Sequence, residues 1–154
     1  MMTNLCCKVL SALSGRTLVT AESCTGGGIG SALTAIPGSS KVYKGGIISY
    51  TNDVKMKQLN VPKEILDREG AVSSPVAEAM AIGVRIALSA DVAVSVTGLA
   101  GPDGDDFGNS VGTVFVGYAD NTKTISCEYH FSGDREAVRK QAMEAALHLI
   151  LEQV

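Results

Sequence analysis

The sequence predicts an α/β fold, a three-layer α/β/α sandwich around a mixed, mostly parallel sheet of about five strands. Three observations lead there. Short runs rich in Val, Ile and Thr, around Leu18, Val42 and Asp91, alternate with segments whose apolar residues recur at helical spacing, which is the pattern of βαβ units. The first and third runs end in glycine-rich stretches, Gly26-Gly27-Gly28 and Gly98-Leu99-Ala100-Gly101. The last two runs flank Ala119-Asp120-Asn121, whose composition is that of a hairpin turn, so part of the sheet is antiparallel.

Taken in order, Leu5, Val9, Leu10 and Leu13 give a first amphipathic helix over residues 3–14, closed at Gly15. Arg16 to Thr20 is the first strand and Gly26 to Ile36 the second helix, stopped by Pro37-Gly38-Ser39-Ser40. Val42 to Asn52 reads as a strand with a kink or close approach at Gly45-Gly46, delivering Tyr50 and Asn52 to its end. Asp53 is the expected cap of a short helix carrying Lys55, Met56 and Leu59, and Val61-Pro62 starts a further turn through Leu66. Ser73-Ser74-Pro75 with Glu78 opens a longer helix running to about Ser89, with Pro75 at its first position. Asp91 to Thr97 is a buried strand, followed by a polar, glycine-rich loop to Gly108 that is longer than most connections. Val111 to Tyr118 and Thr122 to Phe131 form the hairpin. Ser132-Gly133-Asp134 opens the last helix, with Val138, Ala142, Ala145, Ala146 and Leu149 inward.

The 154 residues, 45% hydrophobic and 19% charged, suit one globular domain over residues 1–154 with a single substantial core. A formal charge of −3 supplies no general basic field, which argues against nucleic acid as a partner, while a local basic pocket for a small phosphate remains open. No run has the length of a membrane span and the amino terminus lacks a signal-peptide pattern, so a cytoplasmic protein without membrane partners is expected. Cys6, Cys7, Cys24 and Cys127 form no metal-ligand spacing with His130 and His148, so reduced thiols and no metal are expected. Both histidines read as structural or solvent-facing.

The chemistry concentrates at Leu18 to Gly30, which reads as strand, tight turn and helix start. Amides that open a helix have no internal partner and can face an anion or a developing oxyanion. Capping by Ser23 or Thr25 is the plainer reading of the same residues. Phosphate-loop, zinc-protease and α/β-hydrolase motifs are absent, and the glycines at 26, 27, 28 and 30 do not fit a dinucleotide fingerprint. If Ser23 is a nucleophile, a lysine is the alternative proton acceptor, and Lys55, after the Tyr50–Asn52 strand end, is placed to reach the same sheet edge. Its pKa would have to fall to about 7–8, a shift of roughly 3–4 kcal/mol. Cys24, at a helix start, is the rival nucleophile. Glu22 is an acid or base, or holds Lys55 by a hydrogen bond, with orientation the preferred role.

Seven strings carry a resemblance: Ala21-Glu22-Ser23-Cys24-Thr25-Gly26-Gly27, Pro37-Gly38-Ser39-Ser40, Tyr50-Thr51-Asn52-Asp53-Val54-Lys55, Gly70-Ala71-Val72-Ser73, Val96-Thr97-Gly98-Leu99-Ala100-Gly101-Pro102, Val111-Gly112-Thr113-Val114 and Phe131-Ser132-Gly133-Asp134-Arg135. In order and over nearly the whole chain, they resemble the CinA C-terminal domain family, which includes bacterial nicotinamide mononucleotide deamidases. The resemblance implies hydrolysis of the nicotinamide amide without a cofactor. It implies Ser23 as nucleophile and Lys55 as general base, with Tyr50 in their hydrogen-bond network. Their separation matches the family's without insertion or deletion.

The expected cradle for oxyanion and ligand is the Thr25-Gly26-Gly27 helix start and the Thr97-Gly98-Leu99-Ala100-Gly101 loop, with Asn52 also on the substrate, and Arg135 or Arg139 is expected on the phosphate. Rival readings are an amidase with another small substrate, or a non-catalytic nucleotide-binding or oligomer-forming module. Homo-oligomers are implied by relatives, a dimer being the expectation. Four positions depart from the family pattern: Asp105 replaces a glycine, Asn109-Ser110 replace Lys-Pro, and Gly45 replaces an arginine. These bear on substrate affinity and identity. The amino-terminal domain of longer relatives is absent, so the chain reads as a stand-alone form.

Overall fold

A computed structural model describes all residues, Met1–Val154. Five strands, β1 (Leu18–Glu22), β2 (Tyr43–Ile48), β3 (Val92–Gly98), β4 (Thr113–Ala119) and β5 (Thr124–His130), form one sheet in the order β2-β1-β3-β4-β5. β1 pairs in parallel with both β2 and β3, and β4 is antiparallel to its two neighbours. Four of the five strands therefore point the same way, as the sequence predicts.

Six helices cover the two faces: α1 (Met2–Ala12), α2 (Gly28–Thr34), α3 (Asn52–Leu59), α4 (Lys63–Glu69), α5 (Ser74–Ala87) and α6 (Arg135–Gln153). The period-2 alternation of strand side chains decides which core each residue joins. Leu18, Val92, Val94 and Val96 pack with α1, α2 and α6, whereas Val19, Ala21 and Ala93 pack with α3, α4 and α5. β1 is buried on both faces, which explains its uninterrupted burial and the small residues it carries.

Several boundaries differ from expectation. β1 begins later and runs through Glu22 rather than ending at Thr20, because its pairing with β3 continues to Val96. β2 stops at Ile48, and α2 is shorter at both ends than residues 26–36. The cap of α3 is Thr51, whose hydroxyl accepts from the Val54 amide; Asp53 lies inside the first turn and pairs with Lys57 at 3.3 Å. Ser74 is the first residue of α5, which moves Pro75 one place inward, and the Ser73 hydroxyl donates to Gly70 O instead of capping the helix.

Glycine is required where β2 meets β1. A Cβ on Gly46 would stand 2.3 Å from Thr20 Oγ1 and 2.9 Å from Thr20 O. Tyr43 uses that space, its hydroxyl 2.7 Å from Thr20 Oγ1. The parallel arrangement brings the carboxyl ends of β1, β2 and β3 to one edge. The chain leaves β1 toward β2 over one face and returns from β2 to β3 over the other. That reversal opens a crevice at the carboxyl ends of β1 and β3, where open α/β sheets bind ligands.

Candidate active site

A cavity of about 360 Å³ occupies this crevice. Ser23 and Cys24 reach it from the end of β1, Tyr50, Asn52 and Lys55 from the β2–α3 connection, and Thr97 through Asp103 from the end of β3. Ala71 and Val72 close one wall and Arg135, the first residue of α6, another.

Ser23 follows the last β1 residue directly, and its amide still donates to Val96 O at 3.0 Å. Sheet pairing thus fixes the nucleophile candidate. Lys55 lies on the inward face of α3, one turn before buried Leu59, and is 1% exposed. Its Nζ is 3.0 Å from Ser23 Oγ, 2.7 Å from Ser49 O and 3.3 Å from Tyr50 O. No carboxylate bonds to it. Burial pushes the lysine pKa from its ordinary 10.5 down to about 8, within the range of a general base.

The two carbonyls orient the amine. A neutral amine has two N–H groups and one lone pair, and a carbonyl can only accept. With both N–H groups given to Ser49 O and Tyr50 O, the lone pair is left for the Ser23 hydroxyl. Cys24 is 5% exposed, and burial raises its thiol to about 11, so it is held as a neutral thiol beside the serine.

Glu22 does not hold Lys55. Its carboxylate accepts from the Thr25 hydroxyl at 2.6 Å and from the Ile29 and Gly30 amides at 2.9 and 3.0 Å. The start of α2 therefore already carries an internal anion, which corrects the expectation that it faces a ligand. Thr25, Gly26 and Gly27 lie outside the cavity lining: the Thr25 hydroxyl is on Glu22, and the two glycines take the left-handed conformations of the turn, at φ 58° and 98°.

Asn52, Thr97, Gly98 and Gly101 do line the cavity. The Thr97 hydroxyl donates to Ala71 O at 2.8 Å, tying β3 to the wall before α5. A Cβ on Gly98 would meet Val114 Cγ2 at 2.6 Å, so glycine lets the loop turn there. Arg135 also lines the cavity, donating to Gly101 O at 2.6 Å and to the Tyr50 hydroxyl at 3.1 Å. Tyr50 thus meets Lys55 through its carbonyl and Arg135 through its hydroxyl. Arg139 points elsewhere: its guanidinium donates to Cys24 O at 2.9 Å and Thr25 O at 3.2 Å, clamping the turn after Ser23 to α6.

Asp105 turns inward, accepting from the Phe107 and Asn109 amides at 3.0 and 2.9 Å and from Asn109 Nδ2 at 2.8 Å. Asn109 also donates to Val72 O at 3.1 Å. Two of the departures from the family pattern, Asp105 and Asn109, thus partner one another in closing the loop, and neither lines the cavity. Asp103 is the acidic residue that does. The Gly45 position is on β2, outside the lining. Residue types alone did not point to the Ser49 carbonyl, Asp103 or the Ala71–Val72 wall, although the Gly70–Ser73 string marked that region. The histidines are remote: His130 is exposed beside Glu128, and His148 is exposed on α6.

Fold and site together define a hydrolase-like centre, a serine hydroxyl facing a desolvated amine at a parallel sheet edge. The chain belongs to the CinA C-terminal domain family, whose model matches residues 2–154. A Pseudomonas putida relative, named nicotinamide-nucleotide amidohydrolase PncC, is 47% identical over 135 residues, covering 88% of this chain and 84% of that protein. A CinA-like protein of Thermosynechococcus vestitus is 48% identical over 142 residues, covering 90% of this chain but 34% of its own length. The CinA superfamily protein of Escherichia coli superposes with a TM-score of 0.94 at 35% identity, covering 100% of this chain and 91% of that one. The competence damage-inducible protein A of Klebsiella pneumoniae superposes with a TM-score of 0.96 at 34% identity, covering 99% and 96%. No helix is long and apolar enough to cross a membrane.

Proposed function

We propose that this chain is a nicotinamide-nucleotide amidohydrolase that converts nicotinamide mononucleotide and water to nicotinate mononucleotide and ammonia. The observation that carries the reading is the Ser23–Lys55 pair, 3.0 Å apart at the floor of the cavity, with the amine's N–H groups directed to two carbonyls. The name of the 47%-identical Pseudomonas putida relative supplies the substrate class. A volume of about 360 Å³ lies in the range of small-molecule sites, about 300–1,000 Å³.

In this mechanism neutral Lys55 takes the Ser23 proton as Oγ bonds to the amide carbon, and the carbonyl electron pair moves onto oxygen. The intermediate collapses with cleavage of the C–N bond, Lys55 returning the proton so that ammonia leaves. Lys55, neutral again, then takes a proton from water as its oxygen attacks the acyl carbon. Ser23 leaves with that proton, and the acid product is released. Arg135, the other basic side chain lining the cavity, is the group to meet the phosphate. Its contacts with Gly101 O and the Tyr50 hydroxyl leave guanidinium N–H groups free to do so. Because Asp105 and Asn109 are satisfied within their loop, their replacement of the family's residues supports an unchanged substrate rather than a new one.

Ammonia release from nicotinamide mononucleotide by the wild type, Ser23→Ala and Lys55→Ala tests the proposal. Turnover by the wild type and loss in both variants is the expected result. An inactive wild type removes the substrate assignment, and turnover surviving Ser23→Ala removes the mechanism.

A further inference from the structure

We infer that the oxyanion of the tetrahedral intermediate is held by the backbone N–H groups of Cys24 and Ala100, and not by the start of α2. The inference rests on Ser23 acting as the nucleophile proposed above. It follows from tracing each backbone donor around that residue.

The Ser23 amide is committed to Val96 O, Gly26 donates to Ser23 O at 3.1 Å and Gly28 to Thr25 O at 3.0 Å. Ile29 and Gly30 donate to the Glu22 carboxylate. The amides of Gly26, Gly28, Ile29 and Gly30 are thus occupied, Gly27, whose amide has no acceptor, does not line the cavity, and the carboxylate among them would repel a second anion. Across the crevice, Leu99 donates to Thr113 O at 2.9 Å, which pins the loop to β4.

Cys24 and Ala100 differ from all of these. Neither N–H reaches an acceptor in another residue, the Cys24 amide touching only its own sulfur; both residues line the cavity with Ser23, and they are only 5% and 4% exposed. Buried amides are almost always paired, so two unpaired ones flanking the same cavity are donors suited to an acceptor that arrives with the substrate. Gly101 also lacks an acceptor but is more open to solvent, and Thr25, which lacks one too, does not line the cavity. The resulting pair is the amide following the nucleophile plus one from the loop after a neighbouring strand. That is the composition of the oxyanion site in α/β hydrolases, reached here on a different framework. As bond formation moves the carbonyl electron pair onto oxygen, these dipoles need no reorganisation to meet it.

Amide-to-ester replacement tests this, because it deletes one N–H and preserves shape. Lactate at position 100, introduced by nonsense suppression, is compared with the wild type, and lactate at position 24 with Cys24→Ala. Glycolate at Gly108, in the exposed loop, controls for the ester chemistry. Each cavity ester is expected to lower kcat about 10²–10³-fold with little change in KM. The thermal midpoint should fall only slightly, since the deleted hydrogen has no acceptor in another residue and the ester merely weakens the preceding carbonyl, Ser23 O or Leu99 O, which accepts from Gly26 or Gly112. Affinity for pyridine-3-boronic acid, which adds to a serine hydroxyl as a tetrahedral anion, should fall with kcat. A kcat equal to that of its reference protein in either lactate protein overturns the inference. If the wild type releases no ammonia from nicotinamide mononucleotide yet boronate affinity still falls in the esters, the substrate assignment fails and the oxyanion assignment stands.

Discussion

Lys55 should make the stability of the protein depend on pH in a way that its removal reveals. In the fold its pKa is about 8, against 10.5 for an ordinary lysine, so protonated Lys55 opposes folding. Above 10.5 the amine is neutral in both states and the penalty is absent. As pH falls from 10.5 to 8 the unfolded chain takes up the proton and the folded one does not, so the penalty grows. Below 8 it is complete. At 1.36 kcal/mol per pKa unit the total is about 3 kcal/mol.

Lys55→Met removes the titration but also strips Ser49 O and Tyr50 O of their donor, which changes stability by a pH-independent amount. The quantity to follow is the difference in unfolding free energy between wild type and variant, from urea titrations at intervals from pH 7 to pH 11. That difference should move by about 3 kcal/mol in favour of the wild type as pH rises through the window, whatever its starting value. A difference that does not vary with pH refutes the depressed lysine and with it the proposed general-base role of Lys55. In wild-type kinetics the same group gives kcat/KM an acid limb near pH 8, and Lys55→Arg, which stays charged, should lose the activity across that range.

Glu22→Gln places an amide NH₂ among the Thr25, Ile29 and Gly30 donors. It should cost about 1–3 kcal/mol in urea unfolding together with a fall in kcat, and an unaltered midpoint would contradict its role as the anchor of the turn. Cys24, with its thiol raised to about 11, should resist iodoacetamide at neutral pH while exposed Cys7 is modified, as peptide mass mapping will show. Rapid labelling of Cys24 would count against its burial as a neutral thiol. Gly46→Ala pushes a methyl group against Thr20 Oγ1 and the Thr20 carbonyl, and should lower stability by about 1–3 kcal/mol; a thermal melt matching the wild type would disprove that contact.

The parts of the site that were legible in the sequence are those fixed by the chain's own order. Ser23 had to lie at a strand's carboxyl end because apolar residues precede it and glycines follow. The return of the chain through Val42–Ile48 brought Lys55 to the same edge. What escaped was the choice of partner among groups brought close only by folding. Glu22 had Lys55 and the amides of α2 as available partners, and the turn geometry placed its carboxylate on the amides. Arg139 was as plausible a phosphate ligand as Arg135, but one turn along α6 the guanidinium meets the carbonyls of Cys24 and Thr25 instead. Thr51 displaced Asp53 as cap because a shift of two residues in a helix start cannot be told from residue type when both positions hold good caps.

The clamp from Arg139 to Cys24 O joins residues 115 apart in the chain. During synthesis the segments that carry Ser23 and Lys55 leave the ribosome well before α6 does. For that interval the turn after Ser23 has its sheet partners but lacks the guanidinium and the packing of α6 behind it. Competence should therefore arise as a late step of folding, and a nascent chain long enough to contain both Ser23 and Lys55 should remain silent toward substrate until the final helix docks.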